Sequence, residues 1–217
     1  MFLGLKWGTA IHHVCIFILF IIIDISSMKY LGVILCLLIV AKTNGQDASP
    51  PAKFMGIEMR GNIDEFSDKL KKKGFELIEG ADKSLLLKGD FAGETVKVAV
   101  IGKEKVYSVG VFFADQSEWI PLKNQYYNYK KRLISKYGTP ITQKEEFVGT
   151  YVDGLEMISI DKGEIDYHSK FKQSQTSGIV GLSITKSPFE AFSGCLILMY
   201  VDEKNFTEKQ KQDNDDL

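Results

Sequence analysis

The order of helix and strand signals along the chain most constrains its fold. A lysine-bearing amphipathic helix that ends at a glycine is followed by short β-branched runs, and this order occurs twice. The two helix-ending glycines, Gly74 and Gly138, lie 64 residues apart. Such spacing indicates a diverged tandem repeat. We therefore predict an α+β fold of two helix-then-antiparallel-meander repeats, the first at residues 54–120 and the second at residues 121–202.

Capping signals give the helix bounds. Asn62 is the predicted N-cap of the first helix, because a glutamate follows three residues later as in a capping box. Gly74 suits the left-handed position beyond the helix end, which brings Phe75 against Leu70 as in a Schellman ending. The second helix begins near Pro121 and also ends at a glycine.

Alternating β-branched residues, separated by glycine, aspartate and lysine turns, predict the strands. A hairpin turn is predicted at residues 161–163, where the sequence reads Asp-Lys-Gly. The strands expected in the first repeat are 75–78, 84–88, 95–101 and 106–113. The strands expected in the second repeat are 147–152, 155–160, 164–171, 178–185 and 195–201.

Two apolar segments precede this body. Residues 28–45 combine a lysine, an unbroken apolar run and a small final residue, which is the pattern of a secretory signal peptide. Neither this run nor the one at residues 11–23 reaches the roughly 20 apolar residues of a membrane-spanning helix. We predict a start at Met28, with residues 1–27 as an upstream extension, and a periplasmic or extracellular protein. The alternative is a membrane anchor through residues 11–41.

Polar segments flank the predicted body on both sides. Residues 46–53 contain a proline pair that resists helix formation, so we expect a flexible lead-in. Residues 203–217 are charged and nearly free of apolar side chains, so we expect a disordered polar tail.

Composition narrows the possible partners and chemistry. The full chain carries 27 basic and 28 acidic residues, and removal of the signal segment leaves no basic excess, which disfavours nucleic acid. Cys195 is the one cysteine beyond residue 45, so no internal disulfide is expected, and its apolar run places it in the predicted core. His168 is the one histidine there, so we predict no metal site and no cofactor.

No motif for nucleophilic or phosphate chemistry occurs in the chain, neither a G-x-S-x-G elbow nor a glycine-rich phosphate loop. We therefore predict that the protein is not an enzyme. A glycosidase needs only two carboxylates across a cleft, so a small carboxylate-dependent hydrolase of glycan or peptide is the alternative. The carboxylates at expected strand edges and turns are Glu145, Glu146, Asp153, Glu156, Asp161, Glu164 and Asp166.

Aromatic residues crowd the start of the second helix. Tyr127 and Tyr129 cannot both share the core-facing stripe with Tyr126, so part of the cluster is expected to be exposed. Exposed aromatic rings beside basic residues fit a recognition surface. The alternative is that the rings pack between helix and sheet edge. The candidate binding residues are Trp119, Tyr126, Tyr127, Tyr129, Lys130 and Arg132.

Three strings carry a resemblance: FMGIEMRGNIDEFSDKLKKKGF at residues 54–75, GDFAG at residues 89–93 and LKNQYYNYKKRLISKYGTP at residues 122–140. They resemble secreted proteins of unknown function from Gram-negative gut bacteria. The repeated helix and meander is similar to the fold of beta-lactamase inhibitory protein and, in single copy, of the lipoprotein SmpA/OmlA. The resemblance implies a fold and a habit of binding envelope proteins, and it implies no catalytic residues.

Together these patterns predict an exported, non-enzymatic binding module whose partner is an envelope or secreted protein. Besides the aromatic cluster, the outer sheet face is a second candidate surface if the two meanders join into one sheet. Membrane contact is expected only through the N-terminal segment, if that segment is not cleaved.

Overall fold

The fold was analysed in a computed structural model, which describes residues 49–81, 83–149 and 152–215. The predicted signal peptide and upstream extension lie outside these residues. Four helices occur in the described part: α1 (Ile63–Lys71), α2 (Trp119–Tyr137), α3 (Glu156–Asp161) and α4 (Glu203–Asp215). The strands of the first half are β1 (Lys53–Phe54), β2 (Ile57–Glu58), β3 (Glu76–Ala81), β4 (Ser84–Phe91), β5 (Glu94–Gly102) and β6 (Val106–Phe112). Those of the second half are β7 (Thr142–Phe147), β8 (Ile165–Lys172), β9 (Gly178–Lys186) and β10 (Gly194–Asp202).

Eight strands form one antiparallel sheet in the order β3-β4-β5-β6-β10-β9-β8-β7, and β1 and β2 form a separate hairpin. The pairing of β6 with β10 joins the two sets of four strands, with Val111 opposite Leu198 at the seam. The predicted α+β class is therefore confirmed, and the two meanders share a single sheet.

The two sheet faces differ because side chains alternate along each strand. On β5, Val96, Val98 and Val100 are buried, whereas Lys97 and Ala99 between them are half-buried. The buried side packs against α1, α2 and α3, and we call it the helical face. The opposite side is the open face. It carries a half-buried apolar set on β5, β6, β10 and β9, made up of Ala99, Ile101, Phe112, Ile197, Met199, Val201 and Ile179.

The predicted caps of α1 are confirmed. The Asn62 Oδ1 atom accepts a hydrogen bond from the Glu65 backbone N–H at 2.9 Å. Gly74 has a φ of 92°, and the Phe75 N–H donates to the Leu70 carbonyl at 3.2 Å, as a Schellman ending requires. Leu70 and Phe75 are both buried.

The strand predicted at residues 155–160 is wrong, because this segment forms helix α3. A short apolar run does not distinguish a strand from a buried helical turn. Here Ile160 packs over Gly194 of β10, where the missing side chain leaves room for it. The expected hairpin at residues 161–163 is the end of α3, and the preceding strand lies earlier than predicted, at Thr142–Phe147.

The expected disordered tail also differs from the structure, because Glu203–Asp215 form α4. The side chain of Asp202, in the preceding strand, accepts from the Asn205 N–H at 3.0 Å and so caps the helix. The Asn205 side-chain amide donates to the carbonyls of Met59 and Val106, at 2.8 and 2.9 Å. Contacts distant in sequence therefore hold this polar helix against the domain.

Part of the expected flexible lead-in is also bound to the domain. The Ala52 N–H donates to Asp202 Oδ2 at 2.8 Å, and the Ser177 hydroxyl donates to the same oxygen at 2.7 Å. Ala52 is buried, and the Pro50 carbonyl accepts from the Ser177 N–H at 2.9 Å. Asp202, which is 1% exposed, thus ties the lead-in, the start of β9 and α4 together.

Candidate functional site

The predicted aromatic site lies on α2, and most of it faces the core. Trp119, Tyr126 and Tyr129 are buried against the helical face, and Tyr127 alone of the four rings is exposed, at 40%. Tyr126 and Tyr129 are three residues apart and share one stripe of the helix, while Tyr127 lies off that stripe. The six candidate residues therefore do not form a common exposed surface.

Glu145 of β7 contacts three of the candidate side chains. It accepts hydrogen bonds from the hydroxyls of Tyr126, at 3.2 Å, and Tyr127, at 3.0 Å, and it is ion-paired with Lys130. The Tyr126 hydroxyl also bonds Ser169 at 2.8 Å. These contacts fasten α2 to the β7–β8 edge of the sheet.

Charge in this cluster is balanced. Burial by itself raises the pKa of Glu145, but the hydrogen bonds from Lys130 and Tyr127 outweigh it and hold the pKa below the usual value for a glutamate. Burial and the nearby Glu145 carboxylate raise the pKa of Tyr127 to about 12. Glu145 is therefore ionised and Tyr127 neutral at neutral pH, so the cluster holds neither a proton-donating carboxyl nor a phenolate.

A small cleft of about 290 Å³ lies beside the cluster. The Trp119 ring meets Phe147 and Tyr167 edge to face, with centroids 5.1 and 5.2 Å apart. Lys123 and Glu146 complete the lining. In this region the rings pack between the helix and the sheet edge, as the alternative prediction stated.

The remaining candidate, Arg132, lies at a second and larger cavity. The Tyr129 hydroxyl donates to Glu94 Oε1 at 2.6 Å, and the Arg132 guanidinium lies 4.8 Å above the Tyr129 ring. Burial, followed by the Glu94 contact, raises the pKa of Tyr129. Tyr129 is therefore protonated at neutral pH. Its ring lies against the Arg132 guanidinium.

This cavity, which we call the hairpin pocket, has a volume of about 730 Å³. Its wall is the C-terminal half of α2, and its floor is Leu198 and Tyr200 of β10. Three connections form the rim: the β1–β2 turn, the β4–β5 turn and the β8–β9 loop. Among the described residues of the lining, the charged ones are Lys53, Arg132 and Lys136, and none is a carboxylate. Sequence reasoning missed the pocket, because its parts come from five separate segments.

The open face is the other notable surface. Strand register places Phe112 beside Ile197 and Gly110 beside Met199 on the central pair β6 and β10. The β9–β10 loop, residues 187–193, reaches this face through Phe189, whose ring meets Phe112 edge to face at 5.5 Å. The Lys97 ammonium lies 3.6 Å from the centroid of the Phe189 ring.

Two further described side chains that could take part in chemistry are Cys195 and His168. Cys195 is buried, as predicted, and burial, with a smaller effect of Asp115, raises its pKa to about 12. His168 is half-buried and contacts Asp166 at 2.7 Å. Among the described residues, no group of three or more His, Cys, Asp or Glu side chains is arranged to hold a metal ion.

Several of the carboxylates considered for hydrolysis are ion-paired. Asp161 pairs with Lys186 at 2.8 Å and Asp166 with Lys144 at 2.9 Å, and Glu145 pairs with Lys130 as described above. The contacts with Lys144 and then His168 hold the pKa of Asp166 below its usual value. Glu145 and Asp166, whose pKa values are both lowered, therefore lack the raised pKa of a general acid.

Across the described residues, none of the helices has the length and apolar character needed to cross a membrane. Comparison of the chain with protein-family models, with curated proteins and with solved structures gave no match. The resemblance to beta-lactamase inhibitory protein and to SmpA/OmlA therefore stays a prediction.

Proposed function

We propose that this chain is an exported, non-enzymatic binding module that recognises another protein through its open face. The face presents half-buried apolar side chains on four adjacent central strands. An apolar surface of this kind, bordered by charge, is typical of a protein interaction site.

The observation that carries the proposal is Phe192 in the β9–β10 loop, the loop whose Phe189 contacts Phe112 of the open face. The Phe192 side chain is 74% exposed, and its φ of 55° is a left-handed conformation that bulky residues rarely adopt. An aromatic ring held in solvent on a strained backbone costs free energy in the isolated protein. Burial of the ring in a partner offsets that cost, and aromatic anchors dominate interface energetics.

Charge indicates the kind of partner. Lys97 of β5 stands opposite Lys88 of β4, and Lys88 in turn stands opposite Glu76 of β3. Within the described part of the chain, neither of these two lysines nor the exposed Lys170 of β8 is ion-paired with a carboxylate. We therefore propose a partner that presents an apolar pocket for Phe192, bordered by acidic side chains.

The test is capture of envelope proteins on the immobilised protein, compared with two variants. Phe192→Ser removes the anchor, and Ile120→Ser is the matched control because it removes an apolar side chain that is 61% exposed on α2. We expect the captured partner to fall at least about tenfold with Phe192→Ser and to be unchanged with Ile120→Ser. Equal capture by all three proteins would contradict the proposal.

A charge variant extends the test to the border of the face. Lys97→Glu/Lys170→Glu reverses two charges, and we expect slower association and weaker dependence of binding on salt. A partner whose association is unchanged by this variant does not use the open face.

Two further parts of the proposal concern origin and location. We propose that the two halves are a diverged tandem repeat of the kind found in beta-lactamase inhibitory protein. The order of elements supports this, since each half places a helix before four strands of the sheet. We also propose export through the segment at residues 28–45. Mass spectrometry of the native N-terminus tests it, and a mature chain beginning at Gln46 is the expected result.

A further inference from the structure

We propose that the hairpin pocket binds a small organic anion: an apolar body of aromatic or acyl type that carries a carboxylate, sulfonate or phosphate group. The pocket floor, Leu198 and Tyr200, lies on the helical face, on the other side of the sheet from the open face. The proposal is therefore independent of protein recognition through the open face.

The size and lining of the pocket fit such a molecule. Its volume of about 730 Å³ lies within the range of small-molecule sites, about 300–1,000 Å³. Phe91, Leu133 and Leu198 supply apolar surface, and the ring of Tyr200 adds to the floor. The Tyr200 side chain is buried, and its ring meets that of Phe54 edge to face with centroids 5.1 Å apart, so this ring is held in place. An apolar body thus meets rigid aromatic and aliphatic walls.

The charged side chains among the described lining residues have one sign. Arg132 and Lys136 lie one turn apart on α2, and Lys53 stands on the β1–β2 hairpin. Lys53 is ion-paired with Glu58 at 3.4 Å, whereas neither Arg132 nor Lys136 is paired with a carboxylate in the described part of the chain. Arginine and lysine one turn apart provide a fork and a point charge for one anionic group.

The rim is built from strained turns. Met55, Ala92 and Gln175 line the pocket and have φ values of 50°, 57° and 59°. Met55 and Ala92 each occupy the first position of a two-residue hairpin turn, where asparagine, aspartate or glycine is preferred. Strained backbone of this kind clusters at binding sites. Three such residues, one on each connection of the rim, therefore mark the pocket as a site.

Hydrogen bonds between the rim segments hold the rim in place. The Gln173 side chain accepts from the Lys53 N–H at 2.7 Å and donates to the Lys53 carbonyl at 2.9 Å. Thr176 donates to the Gln173 carbonyl at 3.0 Å, which closes the β8–β9 loop. The pocket is therefore formed in advance, which lowers the entropic cost of binding.

Binding is measured with three probes on the full-length protein. The aromatic sulfonate 8-anilinonaphthalene-1-sulfonate reports by fluorescence, and decanoate and neutral decanol compete with it. Decanoate displaces the sulfonate if the pocket accepts an acyl body, and failure to displace restricts the ligand to aromatic anions. We expect decanol to bind at least about tenfold more weakly than decanoate, because it lacks the charge that Arg132 and Lys136 contact.

Two double variants separate the pocket from general surface charge. Arg132→Gln/Lys136→Gln removes the two cations of α2, and we expect sulfonate affinity to fall at least about tenfold. Lys72→Gln/Lys73→Gln, which removes two exposed cations beyond the end of α1, is expected to leave the affinity unchanged. Near-ultraviolet circular dichroism checks that both variants are folded, since a loosened core also binds this dye.

Methyl NMR locates the ligand in the wild-type protein and does not depend on any variant. We expect the sulfonate to shift the methyl signals of Met55, Leu133 and Leu198, which line the pocket. The proposal is overturned if no probe binds, if the α2 double variant binds as wild type, if the control variant loses as much affinity, or if the shifts fall on Ile197 and Met199. Loss of protein capture by Phe192→Ser tests the open face separately.

Discussion

Replacement of Asp202 by alanine tests whether one buried carboxylate holds three distant segments together. The side chain accepts from the Ala52 N–H at 2.8 Å, the Ser177 hydroxyl at 2.7 Å and the Asn205 N–H at 3.0 Å. A hydrogen bond to a charged group contributes about 1.5–3 kcal/mol. The three bonds share one acceptor group and are not additive, so we expect the free energy of unfolding to fall by about 3–5 kcal/mol.

The loss is large compared with the stability of a domain, which is about 5–15 kcal/mol. Urea denaturation measures it, and hydrogen exchange at the amides of Ala52 and Asn205 reports whether the lead-in and α4 are released. Asp202→Asn retains one acceptor oxygen, so its free energy of unfolding should fall by less than that of Asp202→Ala. Asp213→Ala, which removes an exposed carboxylate of α4, is the control and should change stability by less than about 0.5 kcal/mol.

A loss below about 1 kcal/mol for Asp202→Ala would refute the reasoning. So would unchanged protection of the Ala52 and Asn205 amides, because the carboxylate would then not be what fastens those segments. A loss equal to that of Asp213→Ala would show that the effect is general to acidic residues of this region.

Three further predictions each concern a single residue. Glu145→Gln leaves Lys130 without its carboxylate and should cost about 1–3 kcal/mol. The pKa of Glu145 is lower in the folded protein than in the unfolded chain, so its stabilising contribution is present above the unfolded-state pKa and is lost as the pH falls toward the folded-state pKa. Urea denaturation measured from pH 7 to pH 3 should therefore show a smaller loss of stability in Glu145→Gln than in the wild-type protein. Cys195, buried and with a pKa of about 12, should resist iodoacetamide at pH 8 until urea unfolds the protein, and alkylation of the native protein would contradict its position. Gly194→Ala places a Cβ atom 2.6 Å from Leu122 Cδ2 and should cost about 1–3 kcal/mol by thermal denaturation, whereas a neutral result would show that α2 shifts without strain.

Local signals were sufficient for the elements whose stabilising contacts lie within a few residues. Asn62 and Gly74 bound α1 because both caps act on backbone groups of the same helix. The alternation of valines predicted β5 because the period of a strand determines which residues face the core. These features follow from φ/ψ preference and side-chain periodicity, which act at short range.

The C-terminal helix, α3 and the hairpin pocket required the tertiary structure. The cap of α4 is Asp202, whose carboxylate also accepts from Ala52, far away in sequence. Helix α3 forms where Ile160 meets the space left by Gly194. Sequence alone therefore determined that a helix precedes each set of strands and which residues of β5 face the core. Tertiary packing decided which polar segments are held and where cations and aromatic rings converge, because those contacts join residues that no local pattern relates.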